Sequence, residues 1–361
     1  MRSRLDLQSR SSIAATSAAF IRIAVRGAVF LVAACQTPDV TFRPPSEDAQ
    51  HIDDPISCRT LAATCGLNGT DSCCTSLEVP GGSYDRSFDL AGDANSGARS
   101  DPATVSNFRL DKYEVTVERF RAFVNAGLGT QSSPPPPGAG AHPNIPGSGW
   151  DPAWNANLMP DTATLVANLI CDSKFHNQTW TDTPAGNEHR PIDCLSWYEA
   201  MAFCAWDGGY LPTEAEWNYA AAGGDQQRAY PWSSPAGSLT PLNGAHASYD
   251  PNGGANCVGD GMPGCAVTDL VPVGTKPAGD GLWGQSDLAG NADEWTLDWF
   301  ATTRTYMNPC TDCANLTAEI SRVVRGGAFD LDEHEMRTGF RTYNVPGGRD
   351  VDLGVRCARA P

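Results

Sequence analysis

No run of roughly 18 uninterrupted apolar residues occurs in the 361-residue sequence, so it lacks the hallmark of a multi-helix membrane protein. It is also short of positive charge: 25 Lys and Arg stand against 42 Asp and Glu, a net of −17. That argues against nucleic-acid binding, which needs a basic surface to neutralise phosphates. Its six histidines (His51, His142, His176, His189, His246 and His334) form no H-E-x-x-H, and no serine sits in a G-x-S-x-G elbow. Gly-rich stretches such as Gly253-Gly254 lack the lysine and helix of a phosphate loop. Apolar mass is not lacking: ten Trp, nine Tyr and twelve Phe can offset chain entropy, which excludes global disorder. The 36 Gly and 27 Pro predict a loop-rich body of one large or two ordinary domains, and the 13 cysteines leave one odd thiol.

Residues 1–34 carry five arginines against the single Asp6 and end in the apolar run 28–34, the build of an export signal. Val32-Ala-Ala-Cys35 resembles a bacterial lipoprotein box, with Cys35 as the lipid attachment site; a plain signal peptide is the alternative. Removing residues 1–34 would take the net charge from −17 to −21 and, with Cys35 lipidated, leave an even set of cysteines for an oxidising compartment.

Residues 35–57 read as a flexible tether, and 58–78 as a cysteine-rich segment. Cys58, Cys65, Cys73 and Cys74 lack the C-x2-C knuckles of a zinc site, so two local disulfides of open connectivity are expected. From residue 79 to 361 the chain reads as one domain. Residues 111–116 alternate as a strand, and Thr116 can cap a helix carrying Phe120, Phe123 and Val124. Residues 132–150, with four prolines in a row, read as an extended surface excursion. Ser196/Glu199 and Thr213/Glu216 are capping boxes opening two helices, stopped at Gly208-Gly209 and Gly223-Gly224. Short strands and long loops are expected beyond them.

Six blocks, in this order, resemble the formylglycine-generating-enzyme (sulfatase-modifying factor) family. They are Arg190-Pro-Ile-Asp-Cys-Leu-Ser-Trp197, Gly209-Tyr-Leu-Pro-Thr-Glu-Ala-Glu-Trp-Asn-Tyr219, Gly281-Leu-Trp-Gly284, Asp287-Leu-Ala-Gly-Asn-Ala-Asp-Glu-Trp295, Arg325-Gly-Gly-Ala-Phe329 and Leu353-Gly-Val-Arg-Cys357. The resemblance implies an α+β, C-type-lectin-like fold with little regular secondary structure and many disulfides. In the family's enzymes, two cysteines five apart after the RGG segment bind copper(I) through soft thiolates. The matching positions here are Leu331 and Met336, so copper is not expected. Ala221 and Arg341 stand where such enzymes often carry a further disulfide, whereas Cys204 and Cys357 match the outer one. That bridge would close a loop of roughly 150 residues, worth about 4–5 kcal/mol in the chain-entropy model. Pairing the rest by proximity gives Cys171–Cys194, Cys257–Cys265 and Cys310–Cys313. Cys310-Thr-Asp-Cys313 has redox C-x-x-C spacing, but without a thioredoxin-like pattern around it a small structural loop is preferred.

The resemblance also implies structural calcium at Asn291 and Glu294, with a second site near Asn243 and a downstream aspartate. Asp330, Asp332 and His334 offer harder ligands that could hold another metal, or form a solvated acidic loop. Trp295, Phe329, Arg337 and Arg341 are candidates to line a ligand cleft, the two arginines serving equally well as buried structural ions. The expected protein is a monomeric binding or scaffold module, held at the cell envelope by its lipid alone and recognising an envelope protein or small molecule. The alternative is an oxidoreductase of the same family acting through a non-thiol metal site.

Overall fold

A computed structural model describes residues 54–90, 101–172, 174, 177–301, 303 and 305–361. The export signal, Cys35 and most of the tether lie outside the described residues. Among the latter are four α-helices, α1 (Val117–Asn125), α2 (Thr162–Asn168), α3 (Trp197–Trp206) and α4 (Glu214–Ala221). Ten short strands accompany them: β1 (Ser76–Val79), β2 (Gly82–Asp85), β3 (Pro102–Val105), β4 (Phe108–Asp111), β5 (Asp293–Phe300), β6 (Cys310–Thr311), β7 (Ser321–Arg325), β8 (Thr342–Asn344), β9 (Leu353–Gly354) and β10 (Ala358–Arg359). They form three small sheets, ordered β1-β4-β10, β2-β3-β6 and β8-β7-β5-β9.

The two capping boxes form as expected. Glu199 N donates to Ser196 Oγ and Ser196 N to Glu199 Oε2, and Thr213 and Glu216 repeat the exchange at α4. Gly208 and Gly223 end these helices at φ 80° and 63°, a left-handed conformation that glycine adopts without Cβ strain. Helix α3 is buried on nearly every face, because its sequence WYEAMAFCAW is apolar around the whole circumference. Phe203 and Trp206 pack on Phe123 of α1, and Trp197 Nε1 donates to Thr296 O in β5. Arg322 of the central strand β7 is held between the Trp197 and Trp299 rings, 3.6 and 3.7 Å from their centroids.

Six disulfides join Cys58–Cys74, Cys65–Cys73, Cys171–Cys194, Cys204–Cys357, Cys257–Cys265 and Cys310–Cys313. The connectivity of the first four cysteines, open in the sequence, is thereby resolved. Strand β1 crosses the expected boundary at 78/79, and the cysteine cluster packs on Tyr113 and Val273, so the segment is continuous with the rest. The tether also ends earlier than expected: Ser57 is buried, its N donating to Asp207 Oδ1 and its Oγ accepting from Arg119 Nε.

Two further expectations are corrected. The strand expected over 111–116 stops at Asp111, because Arg356 Nη1 takes the Asp111 and Lys112 carbonyls in place of a neighbouring strand. The proline-rich excursion returns to the core: Trp150 is buried edge-on to Trp154, and buried His142 meets Glu216 Oε1 at 3.0 Å. The expectation of a surface loop rested on Pro134–Pro137, whereas the burial comes from the residues after them.

Candidate functional site

The RGG segment follows β7, with Gly326 and Gly327 at φ 116° and 70°. Gly327 N donates to Asp293 Oδ1 at 2.7 Å. A Cβ on Gly327 would stand 2.4 Å from Met336 Cε, so the bare glycine is what lets the Met336 side chain lie over this turn. Met336 is buried in an apolar cluster with Tyr230, Ala247, Tyr249 and Ala289, and half-buried Leu331 packs against the same cluster. The two positions where the resembling enzymes carry thiols are therefore filled by packed hydrocarbon and one neutral thioether, a poor donor set for Cu(I) on its own.

Two of the residues proposed as metal ligands are engaged otherwise. Asp332 Oδ1 accepts from His334 N, and the His334 ring stands edge-on to Phe340. Asp330 Oδ1 is buried without a hydrogen-bond partner, and burial raises its carboxyl pKa, with Asp350 and Asp250 adding to the rise. Asp330, Asp332 and His334 do not converge on a common point. Among the described residues the ligand-type groups that do are Cys65/Cys73/His189 and Asp250/Cys257/Cys265, whose cysteines are disulfide-bonded. Among the described residues Asp330, Asp332 and His334 thus form no cluster of metal ligands, the alternative to an acidic loop.

The calcium candidates are committed to internal partners. Asn291 Oδ1 accepts from Val271 N, and its Nδ2 donates to Glu114 Oε2. Both Glu294 oxygens accept from Arg356, and Oε2 also from Trp217 Nε1. Asn243 Oδ1 accepts from Ala245 N, while beside it the Lys276 ammonium donates to the Gly244 and Gly259 carbonyls. Burial lowers the Lys276 pKa, against the opposing pull of Asp287, Asp269 and Asp260. With Lys276 on the carbonyls near Asn243 and Arg356 on Glu294, these donors as folded do not fit a calcium ion.

Most of the expected cleft lining lies elsewhere. Trp295 is fully buried, its Nε1 donating to Leu195 O, and Phe329 is buried with Leu270 and Ala292. Arg337 pairs with Asp89. These three belong to the packed interior or to another ion pair; Arg341 borders a recess with room for about one water, together with Arg86, Glu214, Asp298, Tyr306 and Cys313. Glu214, the first residue of α4, is its hub. Its Oε1 accepts from Arg325 Nη2 at 2.6 Å and its Oε2 from Arg341 Nη2 at 2.7 Å. Burial would raise the Glu214 carboxyl, but the Arg341 and Arg325 guanidiniums outweigh it and hold the pKa below the ordinary value. Burial pushes neighbouring Asp298 up to about 6, with Glu214 adding to the rise. Arg341 stacks on Phe300 and Tyr306 and leaves Nε and Nη1 without hydrogen-bond partners. Arg86, Glu214, Asp298 and Tyr306 were not singled out in the sequence; the one local hint was an acidic residue in the first turn of α4.

Residues 63–361 match the sulfatase-modifying factor enzyme 1-like domain, and the chain belongs to that family. It is 30% identical over 278 residues to a formylglycine-generating enzyme of Thermomonospora curvata, covering 71% of this chain and 83% of that protein. It is 25% identical over 299 residues to the Bos taurus protein named inactive C-alpha-formylglycine-generating enzyme 2, covering 78% and 87%. PvdO from Pseudomonas aeruginosa has the same fold, with a TM-score of 0.52 at 20% identity, over 79% of this chain and 94% of that one.

Proposed function

We propose that this chain is an exported, lipid-anchored member of the family that lacks copper-dependent cysteine oxidation and serves as a binding module at the cell envelope. The observation that carries this is the pair Leu331 and Met336, packed with aromatic rings where the copper thiolates would be needed. The Bos taurus relative's name supports a non-catalytic use of the fold.

The test is to incubate purified, copper-loaded protein with a Cys-x-Pro-x-Arg peptide and follow peptide mass. No conversion to formylglycine is expected; turnover would overturn the reading. Lipidation is tested by labelling cells with an alkyne fatty acid. The wild-type chain should take up label and Cys35→Ala should not, whereas equal labelling would refute attachment at that thiol.

A further inference from the structure

Arg86 is 5% exposed. Its Nε donates to Asp101 O and its Nη2 to Met307 O and Asn308 Oδ1, all neutral acceptors, and its face covers the Tyr306 ring at 4.5 Å. Its remaining direction is taken by Cys313: Nη1 lies 3.6 Å from Cys313 Sγ. No carboxylate of the described residues pairs with this guanidinium. A buried cation without an anion is costly, and a disulfide sulfur offers it no charge. A thiolate at the same place would. Cys313 is half-buried at the edge of the recess beside Arg341, whereas Cys310, its partner three positions earlier across Thr311 and Asp312, is buried on β6. By contrast Cys204 and Cys357 are fully buried.

We propose that Cys310–Cys313 is a thiol–disulfide exchange site that accepts two electrons from a dithiol on a protein or peptide substrate. The half-buried sulfur and the buried cation divide the work. One substrate thiolate attacks Cys313 Sγ; the Cys310–Cys313 bond breaks, and Cys310 leaves and takes up a proton. The second substrate thiolate then attacks the substrate sulfur of the mixed disulfide, and Cys313 leaves as a thiolate beside Arg86. The substrate dithiol has lost two electrons and two protons and become a disulfide. The Cys310–Cys313 pair has gained both electrons and one proton, and the other proton goes to solvent. Because the guanidinium stabilises the leaving thiolate, it favours the reduced form and makes the pair more oxidising than an uncharged setting would.

The experiment uses the full exported chain with all its disulfides, equilibrated across dithiothreitol ratios, quenched by alkylation and mapped by peptide mass spectrometry. Cys310 and Cys313 should open at an at least tenfold lower reductant ratio than Cys204–Cys357, and the protein should oxidise a synthetic dithiol peptide stoichiometrically. Arg86→Gln should shift the exchange equilibrium at least tenfold toward the disulfide, about 30 mV; Arg86→Lys should retain most of the wild-type value. Independently of any change at Arg86, Cys310→Ser leaves Cys313 as a thiol whose alkylation-rate profile against pH should have its midpoint at least one unit below that of free cysteine, about 8.5. The proposal is overturned if the pair resists reduction as Cys204–Cys357 does. An ordinary Cys313 midpoint overturns it equally.

Discussion

Replacing Glu214 with alanine removes the single carboxylate that serves both Arg325 and Arg341 at 2.6 and 2.7 Å. Arg325 is fully buried and Arg341 largely so, so neither charge can recover its lost partner from water. Breaking a buried pair by removing one partner costs about 3–5 kcal/mol, a large share of a total stability of about 5–15 kcal/mol. Glu214→Ala should therefore lose about 3–5 kcal/mol in urea unfolding with disulfides intact, and its melting temperature should fall by roughly 6–10 °C at about 2 °C per kcal/mol. Glu214→Gln keeps an acceptor oxygen and should lose less. The pH dependence gives a second handle. Because the folded-state pKa of Glu214 is lowered, its contribution is present above the unfolded value, about 4.3, and is lost as pH falls through the folded one. Wild type and Glu214→Gln should thus converge in acid. A Glu214→Ala loss below about 1 kcal/mol at pH 7 would refute the reasoning, since it would mean the two guanidiniums do not depend on this carboxylate.

Asp293 behaves in the opposite sense. Burial pushes its carboxyl up to about 7 although the Gly327 amide donates to it, so the folded state binds the proton more tightly and the associated stability falls as pH rises from about 4 to 7. Asp293→Asn keeps the acceptor for Gly327, so it should be more stable than wild type at pH 8 and show a flatter pH profile; an unchanged profile would count against the assignment. Chelation with EGTA should leave the melting temperature of the wild-type protein unchanged, whereas Lys276→Met should lower stability by roughly 1–3 kcal/mol by stranding the Gly244 and Gly259 carbonyls. Destabilisation of the wild type by EGTA would show that calcium is part of this fold. Met336→Ala should cost about 2–5 kcal/mol in chemical denaturation, because the side chain fills the space over Gly327; a cost below about 1 kcal/mol would mean that it does not.

How far the sequence was legible depends on the range of the interaction concerned. Ser196 and Glu199, or Thr213 and Glu216, exchange hydrogen bonds within one turn, so residue type and spacing suffice to find them. Cys257–Cys265 and Cys310–Cys313 are close enough in the chain for proximity to pair them. The recess was poorly legible, because aromatic and cationic character does not reveal which side of a sheet faces solvent. Trp295 sits on β5 with its indole inside, while Arg341, 46 positions later, reaches the recess.

By itself, the sequence determined the family blocks, the starts and stops of α3 and α4, and the absence of thiols at 331 and 336, all properties of single residues or of neighbours within a turn. Only the tertiary structure decided that Glu214 would meet Arg325 and Arg341, that Lys276 would occupy the carbonyls beside Asn243, and that Arg86 would face Cys313 across 227 residues of chain. These are encounters between charges brought together by long loops in a fold with little regular secondary structure. Such loops have no period from which a contact can be read, and desolvation, which gives each charge its partner requirement, exists only once the chain has closed around it.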